Sequence, residues 1–119
     1  QNLHFFIQQS ENIFLAYDSI LVMDDDIIIN TNDINALFQL HSDYGLTLLQ
    51  PAFDKTGKIS HPITARKPVT KMRYTNFVEV TAPVFGAETL VKFMKIYDPT
   101  VNATGVDWWF CHIIDSNSN

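Results

Sequence analysis

Apolar and polar positions fall along this chain in blocks whose spacing predicts helices and strands in turn. Leu3, Phe6, Ile7 and Phe14 recur at helical spacing within residues 2–17, so that stretch reads as one helix or as two short ones broken near Ser10, where Ser10 caps the second half. Ser19 to Asn30, S-I-L-V-M-D-D-D-I-I-I-N, then runs Ile20 to Met23 into three aspartates and on to Ile27, Ile28 and Ile29. That is the pattern of a buried strand, central in its sheet, that ends in carboxylates. Ile34, Leu37, Phe38 and His41 share a helical face, with Thr31 or Asn32 as the N-cap and Gly45 as the stop.

Residues 46–53, L-T-L-L-Q-P-A-F, form a second buried strand closed by Pro51 and by the turn at 54–57. Strand, helix and strand in this order make a βαβ unit, which predicts parallel pairing, a layered α/β fold and ligands at the carboxyl ends of the strands. Residues 59–72 are irregular. Phe77, Val78 and Val80, followed by Val84 and Phe85, predict a further strand pair. Residues 87–97 read as a helix on Leu90, Phe93, Met94 and Tyr97, ended by Asp98-Pro99, and V-D-W-W-F-C-H-I-I after Gly105 starts another with Asp107 near its beginning.

Composition narrows the class. With 119 residues, 46% hydrophobic and 13% aromatic, the chain builds the core of one domain over residues 1–119. A net charge of -5 argues against binding nucleic acid or an anionic membrane through the overall field. Cys111 is the one cysteine, which excludes an internal disulfide and leaves the compartment undecided. Asn102-Ala103-Thr104 fits the N-glycosylation pattern, which has meaning only in a secreted chain. No apolar run approaches the ~20 residues of a membrane span. The chain opens on Gln1 without a signal-peptide pattern, as expected of a piece of a longer polypeptide.

Three stretches carry candidate chemistry. Asp24, Asp25 and Asp26 repel one another by on the order of 1 to 2 kcal/mol per pair at an intermediate dielectric. A hard divalent cation such as magnesium or manganese removes that repulsion. The plain alternative is a solvated acidic turn. Arg66, Lys67, Lys71 and Arg73 supply half of the eight positive charges, either as a loop that meets phosphate oxygens or as a solvated loop balancing an acidic protein. Glu79 is a lone charge in an apolar stretch, and buried carboxylates are rarely unpaired, so it either meets a basic residue or faces a site.

The strand L-V-M-D-D-D-I, the pair L-L-Q-P-A-F and I-S-H-P-I-T, the run R-Y-T-N-F-V-E-V-T-A-P-V-F and the late G-V-D-W-W resemble a family of largely uncharacterised proteins. These were once labelled as related to lysine-ketoglutarate reductase trans-splicing and are now grouped with GT-A-like glycosyltransferases. The reductase label finds no G-x-G-x-x-G dinucleotide fingerprint here. The resemblance spans residues 17–109 and implies an α/β, GT-A-like fold: a mixed, mainly parallel sheet flanked by helices. It also implies incompleteness, because the nucleobase-binding βαβ half is missing ahead of residue 17. Residues 1–119 would then be the middle to C-terminal part of such a domain, expected to be marginally soluble and inactive alone.

For chemistry, the resemblance implies sugar transfer from a nucleotide-diphosphate donor to an unidentified acceptor, with manganese or magnesium held by a D-x-D motif. Asp24 and Asp26 match that spacing, with Asp25 between them: Asp26 as the more direct metal ligand, Asp24 toward the ribose or a metal-bound water. The three-aspartate run leaves this assignment open by one residue. Arg66 and Arg73 would meet the donor phosphates. Asp107 would match the base that deprotonates the acceptor in inverting members, or else it is a carboxylate favoured by a helix N-terminus. Asn76, Glu79, His61 and Trp108 are the substrate-contact candidates, although two adjacent tryptophans on one helix point about 100° apart, so one of Trp108 and Trp109 belongs to the core. His61 and His112 either complete a metal shell or are hydrogen-bonded structural residues.

Two rival readings follow from the same residues. D-D-D-I-I satisfies the pattern of haloacid-dehalogenase-type phosphatases, with Asp24 as nucleophile and Asp26 as acid and base, but Lys92 and Lys95 are poor matches for the lysine that chemistry needs. A non-catalytic metal-binding or structural domain is the other. Its EF-hand form is excluded, because Ile29 and Asn35 stand where Gly and Glu are required.

Overall fold

The computed structural model describes residues 2–54, 56–59, 62–75, 78–79 and 81–96. The candidates Asp107, Trp108, Trp109, His61, His112, Asn76, Cys111 and the Asn102 tripeptide lie outside the described residues. Helix α1 (Asn2–Leu15) bends at Ser10, whose φ of -135° and ψ of 32° are not helical, as the spacing predicts. Strand β1 (Ser19–Leu21) follows, then α2 (Thr31–Tyr44), β2 (Leu48–Leu49), a 3-10 turn at Pro62–Thr64, β3 (Val84–Gly86) and α3 (Ala87–Ile96). The fold is a small mixed α/β arrangement of three α-helices and a three-stranded sheet among the described residues.

The sheet corrects the expected pairing. Its order is β1-β3-β2, and β3 is antiparallel to both neighbours, Ile20 opposite Phe85 and Leu48 opposite Phe85. Two strands antiparallel to the same third strand run in one direction. The crossover through α2 therefore does place the carboxyl ends of β1 and β2 at one end of the sheet, with β3 inserted between them. The central strand is β3 rather than β1, because Val84 and Phe85 are almost wholly buried whereas all of β1 is half-buried. Nor do Ile27, Ile28 and Ile29 continue the strand: Ile28 is fully exposed.

Each helix is fixed by local chemistry. The Asn30 side chain accepts from the Asp33 N–H at 2.8 Å, capping α2 one residue before the expected Thr31. Gly45 ends it at φ 59°, and its N–H reaches the His41 carbonyl. A Cβ at Gly45 would meet nothing within 4 Å, so strain alone opposes substitution. Gly45→Ala is expected to cost roughly 1 kcal/mol, measured by urea unfolding. A neutral result would show that the helix ends elsewhere.

The core forms where α3 crosses β3, with Phe85, Leu90, Val91, Phe93 and Met94 buried and Phe14, Ile20, Val22, Leu48 and Val78 packed against them. Phe6 and Phe14 meet edge to face at 5.7 Å across the bend of α1. Lys95 Nζ lies 3.2 Å from Glu11, an exposed pair that ties α3 to α1 and contributes little. Burial lowers the His41 pKa, against an opposing pull from Asp18.

Candidate functional site

The acidic run sits where β1 stops. The ladder with β3 continues past the strand, from the Val22 N–H to the Pro83 carbonyl and from the Asp24 N–H to the Thr81 carbonyl, each at 2.9 Å. Asp24 then accepts from the Ile27 N–H at 3.3 Å, closing a turn with Asp25 and Asp26 at its corner. All three aspartates are exposed. The backbone of the turn is thus anchored while its carboxylates face water.

Desolvation raises the Asp24 carboxyl above its ordinary value, and the charges of Asp26 and then Asp25 push the same way. An acid with a raised pKa in the folded state costs stability once it is ionised, and that cost disappears as pH falls below both the folded and unfolded values. Asp24→Asn is expected to raise the melting temperature in metal-free buffer near neutral pH, and the gain should shrink as pH falls to about 3.5. A gain independent of pH would show that charge is not its cause.

Directly after the turn, Ile27, Ile28 and Ile29 enter the wall of a cleft of about 590 Å³. Leu37 and Leu40 of α2, Leu48 and Leu49 of β2, and Phe53 line its apolar side. Arg66, Lys67, Lys71 and Arg73 also line it, so the structure brings the four cations of the basic stretch to one cleft. The backbone explains this placement. Phe53 and Ala65 form a parallel bridge, with the Phe53 N–H on the Thr64 carbonyl at 2.8 Å and the Arg66 N–H on the Phe53 carbonyl at 2.9 Å. A turn closed by the Thr70 N–H on the Lys67 carbonyl then carries the chain on to Lys71.

Arg73 holds this loop from within, its guanidinium donating to the carbonyls of Ile63 and Ala65. A guanidinium has five N–H donors, so this anchoring leaves capacity for a ligand. Glu79 is buried and its N–H donates to the Gln50 Oε1, at the carboxyl end of β2. Gln50 lines the cleft, and sequence reasoning missed it: a glutamine between a leucine run and a proline gives no periodic signal. Lys95, one of the lysines a phosphatase reading needs, is spent on Glu11.

Among the described residues no three His, Cys, Asp or Glu side chains gather into a metal-binding group. Asp24 and Asp26 fit a more open arrangement, in which two carboxylates hold a cation such as magnesium or manganese that keeps waters and takes its remaining oxygens from a phosphate ligand. Desolvation is the larger cause of the raised Asp24 carboxyl, and the repulsion from Asp26 and Asp25 that adds to it is what such an ion would relieve. No helix among the described residues is long and apolar enough to cross a membrane.

A protein-family model, described as a protein of unknown function (DUF707), matches residues 6–119. The chain belongs to the DUF707 family. No curated protein and no solved structure matches it. The DUF707 match spans the acidic turn, the basic loop and the cleft that this loop lines, so these belong to the region that the family model covers.

Proposed function

We propose that this DUF707 chain belongs to a metal-dependent glycosyltransferase of GT-A type that uses a nucleotide-diphosphate sugar. The observation that carries the reading is the anchored, exposed turn of Asp24, Asp25 and Asp26, followed at once in the chain by Ile27 to Ile29 on the lining of a cleft that Arg66, Lys67, Lys71 and Arg73 also line. Asp24 and Asp26 would hold manganese or magnesium, which supplies neutralisation of the diphosphate leaving group when bound. Arg66 and Arg73 add charge-assisted hydrogen bonds to phosphate oxygens. Asp107 takes the role of acceptor base through the resemblance alone, and Asn76, His61 and Trp108 contact substrate on the same ground. Glu79 contacts substrate on that ground too, and its backbone N–H joins it to Gln50 on the cleft lining. The donor, the acceptor and the remainder of a longer polypeptide are the partners this reading requires.

The test is limited trypsin cleavage of the full-length polypeptide that this reading requires. Arg66, Lys71 and Arg73 are exposed and followed by cleavable bonds, whereas Lys67 is protected by Pro68. Cleavage at these three positions is expected to slow when manganese and a nucleoside diphosphate are added together, because phosphate contacts order the loop. A panel of nucleoside diphosphates should produce this with at least one base. Cleavage indifferent to all of them, with and without manganese, would overturn the proposal.

A further inference from the structure

The cleft holds more than a diphosphate needs. Apart from Asp33 at the start of α2, what α2 and β2 contribute to its lining is aliphatic, with Leu37 buried and Leu40, Leu48 and Leu49 half-buried. Three apolar side chains on its lining are exposed, Ile28 fully, Tyr74 at 78% and Ile63 at 37%. Exposed apolar side chains continuous with an apolar floor mark a surface that a ligand covers. Lys67 opens a turn closed by the Thr70 N–H, Lys71 follows it, both line the same cleft, and neither makes an ion pair among the described residues. In a protein of net charge -5, two unengaged lysines beside an aliphatic wall form a local exception to the overall field.

We infer that the cleft binds an aliphatic anion, a molecule with a hydrocarbon chain and a phosphate or carboxylate head, as the acceptor side of the reaction. The chain lies along Leu40, Leu48 and Leu49, and the head meets Lys67 and Lys71. An alkyl chain gains with each methylene removed from water, whereas the hydroxyls of a sugar would find no partners on Leu40, Leu48 and Leu49. The role as acceptor rests on the transferase reading; the binding itself requires neither metal nor nucleotide.

Titration calorimetry on the full chain, without metal or nucleotide and below the micellar range, tests this with decyl phosphate, decanoate, inorganic phosphate and decyl maltoside. Decyl phosphate or decanoate is expected to bind at least tenfold more tightly than inorganic phosphate and than the neutral decyl maltoside, and the stronger of the two assigns the head group. The double variant Lys67→Glu, Lys71→Glu should lose at least tenfold for the aliphatic anions and leave decyl maltoside unchanged. Circular dichroism of the variant checks that it is folded, and Leu48→Asn provides a second perturbation from the aliphatic side. Equal affinity for inorganic phosphate would reduce the cleft to a simple anion site, and equal affinity for decyl maltoside would make the effect surfactant adsorption. Absence of all binding would mean that the chain's own residues fill the cleft. Any of these three results overturns the inference, and none of them bears on metal-dependent nucleotide binding at the aspartates.

Discussion

Asp26→Ala is expected to abolish manganese-dependent nucleoside diphosphate binding while making the metal-free protein more heat-stable. The two effects have one origin. Of the two charges pushing the Asp24 carboxyl upward Asp26 has the larger effect, so its removal relieves repulsion in the metal-free turn. The same removal takes away one of two carboxylates available to a cation, and among the described residues no third ligand stands ready to replace it. Affinity in the presence of manganese should fall at least tenfold, about 1.4 kcal/mol or more, by titration calorimetry on the full chain. Because the turn is closed through the Asp24 carbonyl and the Ile27 N–H, neither of which involves the Asp26 side chain, its backbone should persist in the variant. Unchanged metal affinity would identify the run as a solvated acidic turn and sink the transferase reading. Lost affinity together with lower heat stability would separate the halves: the metal role would stand and the repulsion account would fail.

The elements were readable where a residue's own chemistry decides them. Helix α2 was bounded by the helical spacing of Ile34, Leu37 and Phe38 and by Gly45, whose φ of 59° is a conformation glycine adopts without strain. The bend at Ser10 was readable for the same reason. Strand direction was not. Parallel pairing follows from a βαβ order only if β1 and β2 are neighbours, and nothing in either strand announces that Val84 and Phe85, roughly 35 residues beyond β2, will insert between them. The three isoleucines after the aspartates misled in another way. Apolar runs mark burial on average, but Ile28 follows a turn that redirects the chain out of the sheet. For the site, the aspartates and the four cations were visible as charge patterns. That the four cations line the cleft which Ile27, Ile28 and Ile29 enter after the aspartates was not, since it depends on the Phe53 to Ala65 bridge and on Arg73 donating to backbone carbonyls that any sequence would supply.

Leu90→Ala should be the most damaging single change in the described core. Leu90 is fully buried on the face of α3 that meets β3, among Phe85, Val91, Phe93 and Met94. Truncating such a leucine costs about 2 to 5 kcal/mol, the spread reflecting how far the cavity collapses. Collapse is restricted here, because Phe85, Val91 and Phe93 around it are themselves almost wholly buried and Phe14 and Ile20 pack against the same cluster. Against a typical total of about 5 to 15 kcal/mol, this is a drop in melting midpoint of about 10 °C or more. The consequence extends to the site, since β3 is the strand whose approach at Thr81 and Pro83 receives the N–H groups of Asp24 and Val22. Loosening α3 from β3 should therefore weaken metal binding at the acidic turn as well, without any change to a ligand. Leu15→Ala serves as the control: Leu15 is 43% exposed at the end of α1, and its truncation should cost below about 1 kcal/mol. Chemical denaturation of both variants decides the matter. A Leu90→Ala loss no greater than that of Leu15→Ala would mean that α3 does not rest on β3, and the anchoring of the acidic turn would then need another explanation.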